Sequence, residues 1–287
     1  LVLIVGLATC LYLFHLGTES LWNEELYSVH DARDLSHLKW IRPAYYILLH
    51  FWMMGGEGEV WLRLLSVRGG VVCIVLIYHI GWRLFSSEAG LVAALLLSLS
   101  PLMLNFVQMV RMYALGTCLS LGGTLALLLA LEHNGNSVRV ASSPVLNRMV
   151  YPAVWVVLRW LMVLTTPLNA TLMLADVGVI IWGCWEKPAK LRRFAGWIAL
   201  WLILWSPFLI NTLIATWDFT AAALNVPAKM GREEARHGLP SVRDVILKLR
   251  NFTAYPFPST HWMMSRFYQG YTMMLVALLG LGSVSWY

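Results

Sequence analysis

Residues 89–131 read AGLVAALLLSLSPLMLNFVQMVRMYALGTCLSLGGTLALLLAL. Two apolar stretches, 89–107 and 112–131, flank a short pivot, Gln108-Met109-Val110-Arg111-Met112-Tyr113. At 1.5 Å of rise per residue, each stretch is long enough to cross about 30 Å of hydrocarbon as a helix. A charge at the centre of a bilayer costs roughly 3 kcal/mol or more, so Arg111 belongs where water and headgroups begin. The stretch predicts a helical hairpin through a membrane, turned at Arg111.

Working outward, apolar segments of similar length recur at 1–16, 62–84, 149–165, 168–185, 195–217 and 268–287. The expectation is an all-α polytopic membrane protein of about eight transmembrane helices. Residues 43–55, PAYYILLHFWMMG, are apolar but too short to span, and read as a surface-lying or re-entrant helix opened by Pro43. Composition agrees: 59% of residues are hydrophobic, 13% are charged, and mean hydropathy is +0.66. A net charge of +6 could suggest nucleic acid. The basic residues, however, are spread between apolar runs, so they read as topology signals and contacts to anionic lipid, with no nucleic-acid partner. Cys10, Cys73, Cys118 and Cys184 all lie inside apolar segments without metal-type spacing, and read as buried thiols. The chain begins without Met inside one apolar run and stops inside another, which reads as part of a longer polypeptide with an incomplete last helix at 268–287.

Alternating loops then divide by charge. One side carries Arg83, Arg139, Arg148, Lys187, Lys190, Arg192 and Arg193, with few acids, and is cytoplasmic by the positive-inside rule. The other side receives the first loop (17–61), the pivot 108–113, Thr165–Thr166 and a long loop at 218–267. Residues 1–217 form the transmembrane region. The 218–267 loop is itself rich in Lys and Arg, which suits an anionic partner. Within it, residues 241–250 predict an amphipathic helix: Val242, Val245, Ile246 and Leu249 share a face opposite Arg243, Lys248 and Arg250.

Three groupings could carry chemistry. Glu24 and Glu25 are adjacent carboxylates just after the first apolar run, and read either as a general base with a neighbour that binds a divalent cation or substrate, or as a solvated acidic pair at a helix start. Gln108, Arg111 and Tyr113 on the same side could clamp a phosphate, with Arg42, Arg63 and Arg68 adding positive field; alternatively Arg111 snorkels to the interface and each of the other three arginines meets a lipid headgroup. Arg159 and Asp176 fall inside neighbouring apolar segments, where an ion pair is the preferred reading and a transport path the other.

The blocks SLWNEELYSV, RPAYYILLHFW, VWLRLLSVRGG…GWRLFSSEAGLVAALLLSLSP and QMVRMYAL, in that order, resemble the bacterial membrane glycosyltransferases of the protein-mannosyltransferase-like (family 39) group, in the GT-C superfamily. The typical blocks there are SLWxDEAxS, HPPLYYLLLHxW, RLLSALFG, GRRLFG, LLALSP and QEARMYAL. The likeness covers about residues 18–131, and LPSVRDVILKLR at 239–250 resembles the family's late external loop. The resemblance implies an integral enzyme of the bacterial inner membrane that uses a polyprenyl-phosphate-linked sugar on the external face. The family's aspartate falls on Glu24, its next glutamate on Glu25, and its donor-phosphate arginine on Arg111. A carboxylate would activate an acceptor hydroxyl for inverting attack at the anomeric carbon. Three positions depart from the pattern: Glu24 replaces the aspartate, Ile41-Arg42-Pro43 lacks the histidine of HPP, and Met109 stands where QEAR has glutamate. These departures set an alternative beside the enzyme: a silent relative serving as an accessory subunit of a larger membrane complex.

Overall fold

In a computed structural model of the chain, residues 1–35, 43–131, 149–185 and 188–225 are described, the last helix beyond Ile210 as backbone only. Among them the regular elements are helical: α1 (Val2–Leu13), α2 (Asn23–Arg33), α3 (Pro43–Met53), α4 (Glu59–Leu84), α5 (Ser87–Ser98), α6 (Pro101–Val107), α7 (Tyr113–Leu131), α8 (Tyr151–Thr165), a 3₁₀ turn (Pro167–Ala170), α9 (Thr171–Cys184) and α10 (Pro188–Asn225). Contacts divide the chain into two units. The first, Leu1–Ser98 with Met103–Ile214, holds the packing described below; the second is Leu99–Leu102 with Ala215–Tyr287.

Three of the described helices are long and apolar enough to cross a membrane: α4, α7 and the Pro188–Ile210 part of α10. The stretch 89–107 is not one straight span. It breaks into α5 and α6, bent by 61°, and the pair counts as a fourth crossing if taken together. Pro101 explains the break: it has no N–H to give the preceding turn, and its ring disfavours helical geometry at Ser100. The shorter apolar helices α1, α8 and α9 coincide with three further expected spans. The expected eighth span, 268–287, and the helix at 241–250 lie outside the described residues. Residues 43–53 do form a helix opened by Pro43.

Small residues let the helices approach. A Cβ on Gly81 of α4 would lie 2.8 Å from the Gly90 Cα of α5, and one on Gly90 would lie 2.6 Å from the Tyr78 carbonyl oxygen. Close helix contact through glycine is the usual solution where lipid supplies no hydrophobic drive between helices. Tyr12, Val67, Cys73, Met103 and Val107 pack together around α1, α4 and α6. Cys10, by contrast with the expected burial of all four thiols, sits on the exposed side of α1, while Cys73 and Cys184 are buried.

Around α7, α8 and α9 the packing centres on Arg159. Its Nε and Nη2 donate to Asp176 Oδ2 and Oδ1 at 2.6 and 2.8 Å, and Trp155 Nε1 donates to Oδ2 at 2.7 Å. Its remaining donors reach the Ser120 carbonyl at 2.8 Å and Thr124 Oγ1 at 2.9 Å. Gly123 leaves room for the guanidinium, since a Cβ there would lie 3.1 Å from Cζ. Arg159 is 1% exposed. The intramembrane charges therefore meet as an ion pair saturated with hydrogen bonds, and the transport-path reading loses the observation that motivated it.

The contacts also sort the loops into two ends. At one end Gly17 meets Val60 of α4, and the Gln108 carboxamide donates to the Phe14 carbonyl just past α1 at 2.9 Å. Gly116, in the first turn of α7, faces Thr165, Thr166 and Asn169. At the opposite end Lys190 Nζ donates to the Leu131 carbonyl at the close of α7, 2.7 Å away. The first loop, the 108–113 pivot and Thr165–Thr166 thus share an end.

Candidate functional site

The polar end is organised by Glu25. Trp22 is extended, and α2 starts immediately after it. Three residues into this start, the Glu25 carboxylate turns back and accepts the Trp22 N–H at 3.2 Å, as one half of a capping box. It also accepts the Val110 N–H at 2.7 Å, and Arg63 Nε and Nη2 at 3.4 and 3.1 Å. Arg63 spends its other donors on the carbonyls of Leu16 and Glu19, both at 2.8 Å. At 1% exposure Glu25 is no solvated surface acid. It is a buried cross-link between the first loop, α4 and the pivot, and its lone pairs are occupied.

Glu24 points the other way, because successive helical residues are turned about 100° apart. Its side chain is 50% exposed, and its Oε2 meets Arg111 Nη2 at 3.0 Å. Arg111 Nη1 donates to the Glu24 carbonyl at 3.1 Å and to Ser28 Oγ at 3.3 Å. Ser28 is one turn beyond Glu24 and donates to the same carbonyl. The Arg111 Cζ lies 5.7 Å from the Tyr113 ring centroid, and Tyr113 stacks on Phe106 at 4.7 Å. Burial works against the Arg111 charge, yet Tyr113 and then the Glu24 carboxylate outweigh it and hold the guanidinium above its ordinary value. Arg111 is therefore a fixed cation. Its Nε is buried and has no hydrogen-bond partner among the described residues.

Behind this pair stands Tyr45 of α3, which is buried. Desolvation pushes its phenol well above the usual range, Tyr46 and Glu25 add to the rise, and Arg111 opposes it. Its hydroxyl stays protonated.

Of the residues singled out in the sequence, Glu24, Arg111 and Tyr113 come together. Glu25 joins them from below through Val110. Gln108 does not face the pair; its carboxamide is tied to the end of α1. Arg42 lies outside the described residues. Arg63 and Ser28 are the residues sequence reasoning undervalued. Ser28 was accessible from spacing, since residues four apart share a helix face. Arg63 was not, because nothing local tells a buried arginine in the second turn of α4 from one that snorkels.

A divalent cation needs several oxygen donors. Among the described residues no three His, Cys, Asp or Glu side chains stand together to hold one. With Glu25 committed to Arg63, Glu24 alone does not make a cation cage, and positive charge at this place comes from Arg111.

Fold and site together define an integral membrane protein with its polar chemistry gathered at one end of an apolar bundle. The sequence profile of the dolichyl-phosphate-mannose-protein mannosyltransferase family matches residues 43–211, more than half of the chain, and the chain belongs to this family of GT-C-type membrane glycosyltransferases. The matched region includes Arg63, Arg111, Tyr113 and the Arg159–Asp176 pair, and begins after Glu24 and Glu25. No curated protein and no solved structure matches the chain.

Proposed function

We propose that the chain transfers a sugar from a polyprenyl-phosphate carrier to an acceptor hydroxyl, with inversion, on the external face of a bacterial inner membrane. The observation that carries this reading is the Glu24–Arg111 contact, a half-exposed carboxylate against a fixed cation 87 residues along the chain. In this mechanism the donor phosphate takes Arg111 Nη2 as a charge-assisted contact and displaces the Glu24 carboxylate from it. The freed carboxylate accepts the proton of the acceptor hydroxyl as its oxygen attacks the anomeric carbon. The bond from that carbon to the phosphate oxygen breaks on the opposite face, and the phosphate leaves with the electron pair, its charge met by Arg111. Arg111 keeps its place because the Glu24 carbonyl and Ser28 hold Nη1. Support for the external assignment comes from Arg83, Lys190, Arg192 and Arg193, which belong to the opposite end.

Glu24→Gln should lower sugar transfer by roughly 10²–10⁴-fold, the worth of a positioned general base, while leaving donor binding intact. Arg111→Gln should instead weaken retention of the polyprenyl-phosphate donor. Both are read with the purified chain in lipid and a radiolabelled donor. Transfer by Glu24→Gln at the wild-type rate would sink the reading. A wild-type chain that holds the donor but never turns it over, and purifies in fixed ratio with other membrane subunits, would favour the silent accessory role instead.

A further inference from the structure

Gly55 and Gly56 let the chain between α3 and α4 double back, so that Trp52 and Trp61 lie face to face. A Cβ on Gly55 would sit 2.7 Å from the Trp61 ring, and Gly56 has φ +157°. The indoles stack with centroids 4.6 Å apart and planes 8° from parallel. Each Nε1–H donates to the other's backbone carbonyl, at 2.8 and 3.0 Å. Both polar handles are spent, so the pair is a rigid aromatic platform.

Against this platform lies Arg68, with Cζ 4.4 Å from the Trp52 ring centroid. Arg68 is exposed. Among the described residues, none of its N–H groups makes a hydrogen bond or ion pair. It also stands inside α4, one of the helices long and apolar enough to span. Its neighbour Gly69 packs on the backbone of Ala114, which puts Arg68 level with the first turn of α7, just below the polar end. A guanidinium laid on an aromatic face keeps its five N–H donors in its own plane, pointing outward. At the margin of a bilayer such a cation is stabilised by an anion at headgroup depth.

We propose that Arg68 and Trp52 form a binding site for the phosphate group of an anionic bilayer phospholipid. The phosphate offers paired oxygens to the free guanidinium edge, as a bidentate charge-assisted contact. The site stands apart from the catalytic reading: the Arg111 fork is engaged by Glu24, whereas the Arg68 edge has no acceptor among the described residues.

The test titrates the purified full chain with phosphatidylglycerol and, in parallel, with polyprenyl phosphate, and counts bound lipids by native mass spectrometry. Arg68→Gln, which keeps most of the stem and removes the charge, should weaken the tightest phosphatidylglycerol site roughly tenfold, the loss expected for one charge-assisted contact. Trp52→Leu should weaken it less, and Arg68→Lys should fall between Arg68→Gln and wild type because it keeps charge without the fork. Circular dichroism of each variant verifies the fold, and Arg68→Ala provides a second neutral replacement. Unchanged phosphatidylglycerol binding in both neutral variants overturns the proposal. So does a loss confined to polyprenyl phosphate, which would make Arg68 part of the donor site.

Discussion

Glu24 and Glu25 are adjacent along the chain and live in different media. Glu25 is surrounded by protein and fully paired, so its removal leaves the Arg63 charge buried beside peptide carbonyls. Breaking a buried pair from one side typically costs about 3–5 kcal/mol, and the carbonyls of Leu16 and Glu19 should hold Glu25→Ala to the low end of that range. The same change frees the Val110 N–H and loosens the approach of Arg111 to Glu24. The expected outcome for Glu25→Ala is a lowered unfolding midpoint in detergent, with transfer lost in parallel. Glu24→Gln should leave that midpoint unchanged, since its carboxylate is half in solvent and exposed ion pairs contribute little. The sequence named the doublet and Arg111, and of the two carboxylates the structure brings Arg111 to Glu24 alone. The division of labour was not legible there: which of two neighbours turns inward depends on Arg63 and Val110, 38 and 85 residues away.

Among the elements, the least tolerant contacts are those made by backbone. The α4–α5 crossing brings Gly90 against the Tyr78 carbonyl oxygen, which cannot rotate aside as a side chain could. Gly90→Ala should therefore separate the two helices and cost about 1–3 kcal/mol, as overpacking does. Gly196→Ala, whose Cβ would meet nothing within 4 Å inside α10, is the matched control and should hold or slightly raise the midpoint in the same thermal-denaturation assay. The α7–α8–α9 cluster behaves differently because it is held by charge. Asp176→Asn should cost about 3–5 kcal/mol by leaving Arg159 uncompensated, whereas the double change Arg159→Met with Asp176→Leu should recover most of that loss. Recovery in the double variant is read from the same midpoints, and its absence would mean the pair does more than hold the helices. Hydropathy placed α4, α7, α8 and α9 well, because a helix facing lipid must be apolar along its length. It read 89–107 as one crossing, because a window average does not register a single Pro101 that ends one helix and starts the next.

At the scale of the molecule, the two ends of the bundle differ in chemistry. Glu19, Glu24, Glu57 and Glu59 gather with Arg33, Arg63 and Arg111 at one end, in ion pairs such as Arg33–Glu57 at 2.6 Å. The opposite end presents Arg83, Lys190, Arg192 and Arg193, with Glu88 at the start of α5. Excess Lys and Arg in short loops is retained on the cytoplasmic side during insertion, whereas mixed charge is not. The sharing of one end by residues 14–25, 108–113 and 165–169 was readable from the alternation of apolar runs, because each full crossing reverses the side. The depth of each side chain was not readable, because it depends on which helices pack together. The expected orientation follows from the charges. In a background with the four native cysteines replaced, Thr18→Cys should react with a membrane-impermeant maleimide added to intact cells, and Glu88→Cys only after the membrane is opened. Both positions are exposed, so burial does not confuse the comparison. The reverse pattern would put Glu24 and Arg111 on the cytoplasmic leaflet, where an acceptor outside the cell could not reach them, while the Glu24–Arg111 geometry itself would stand.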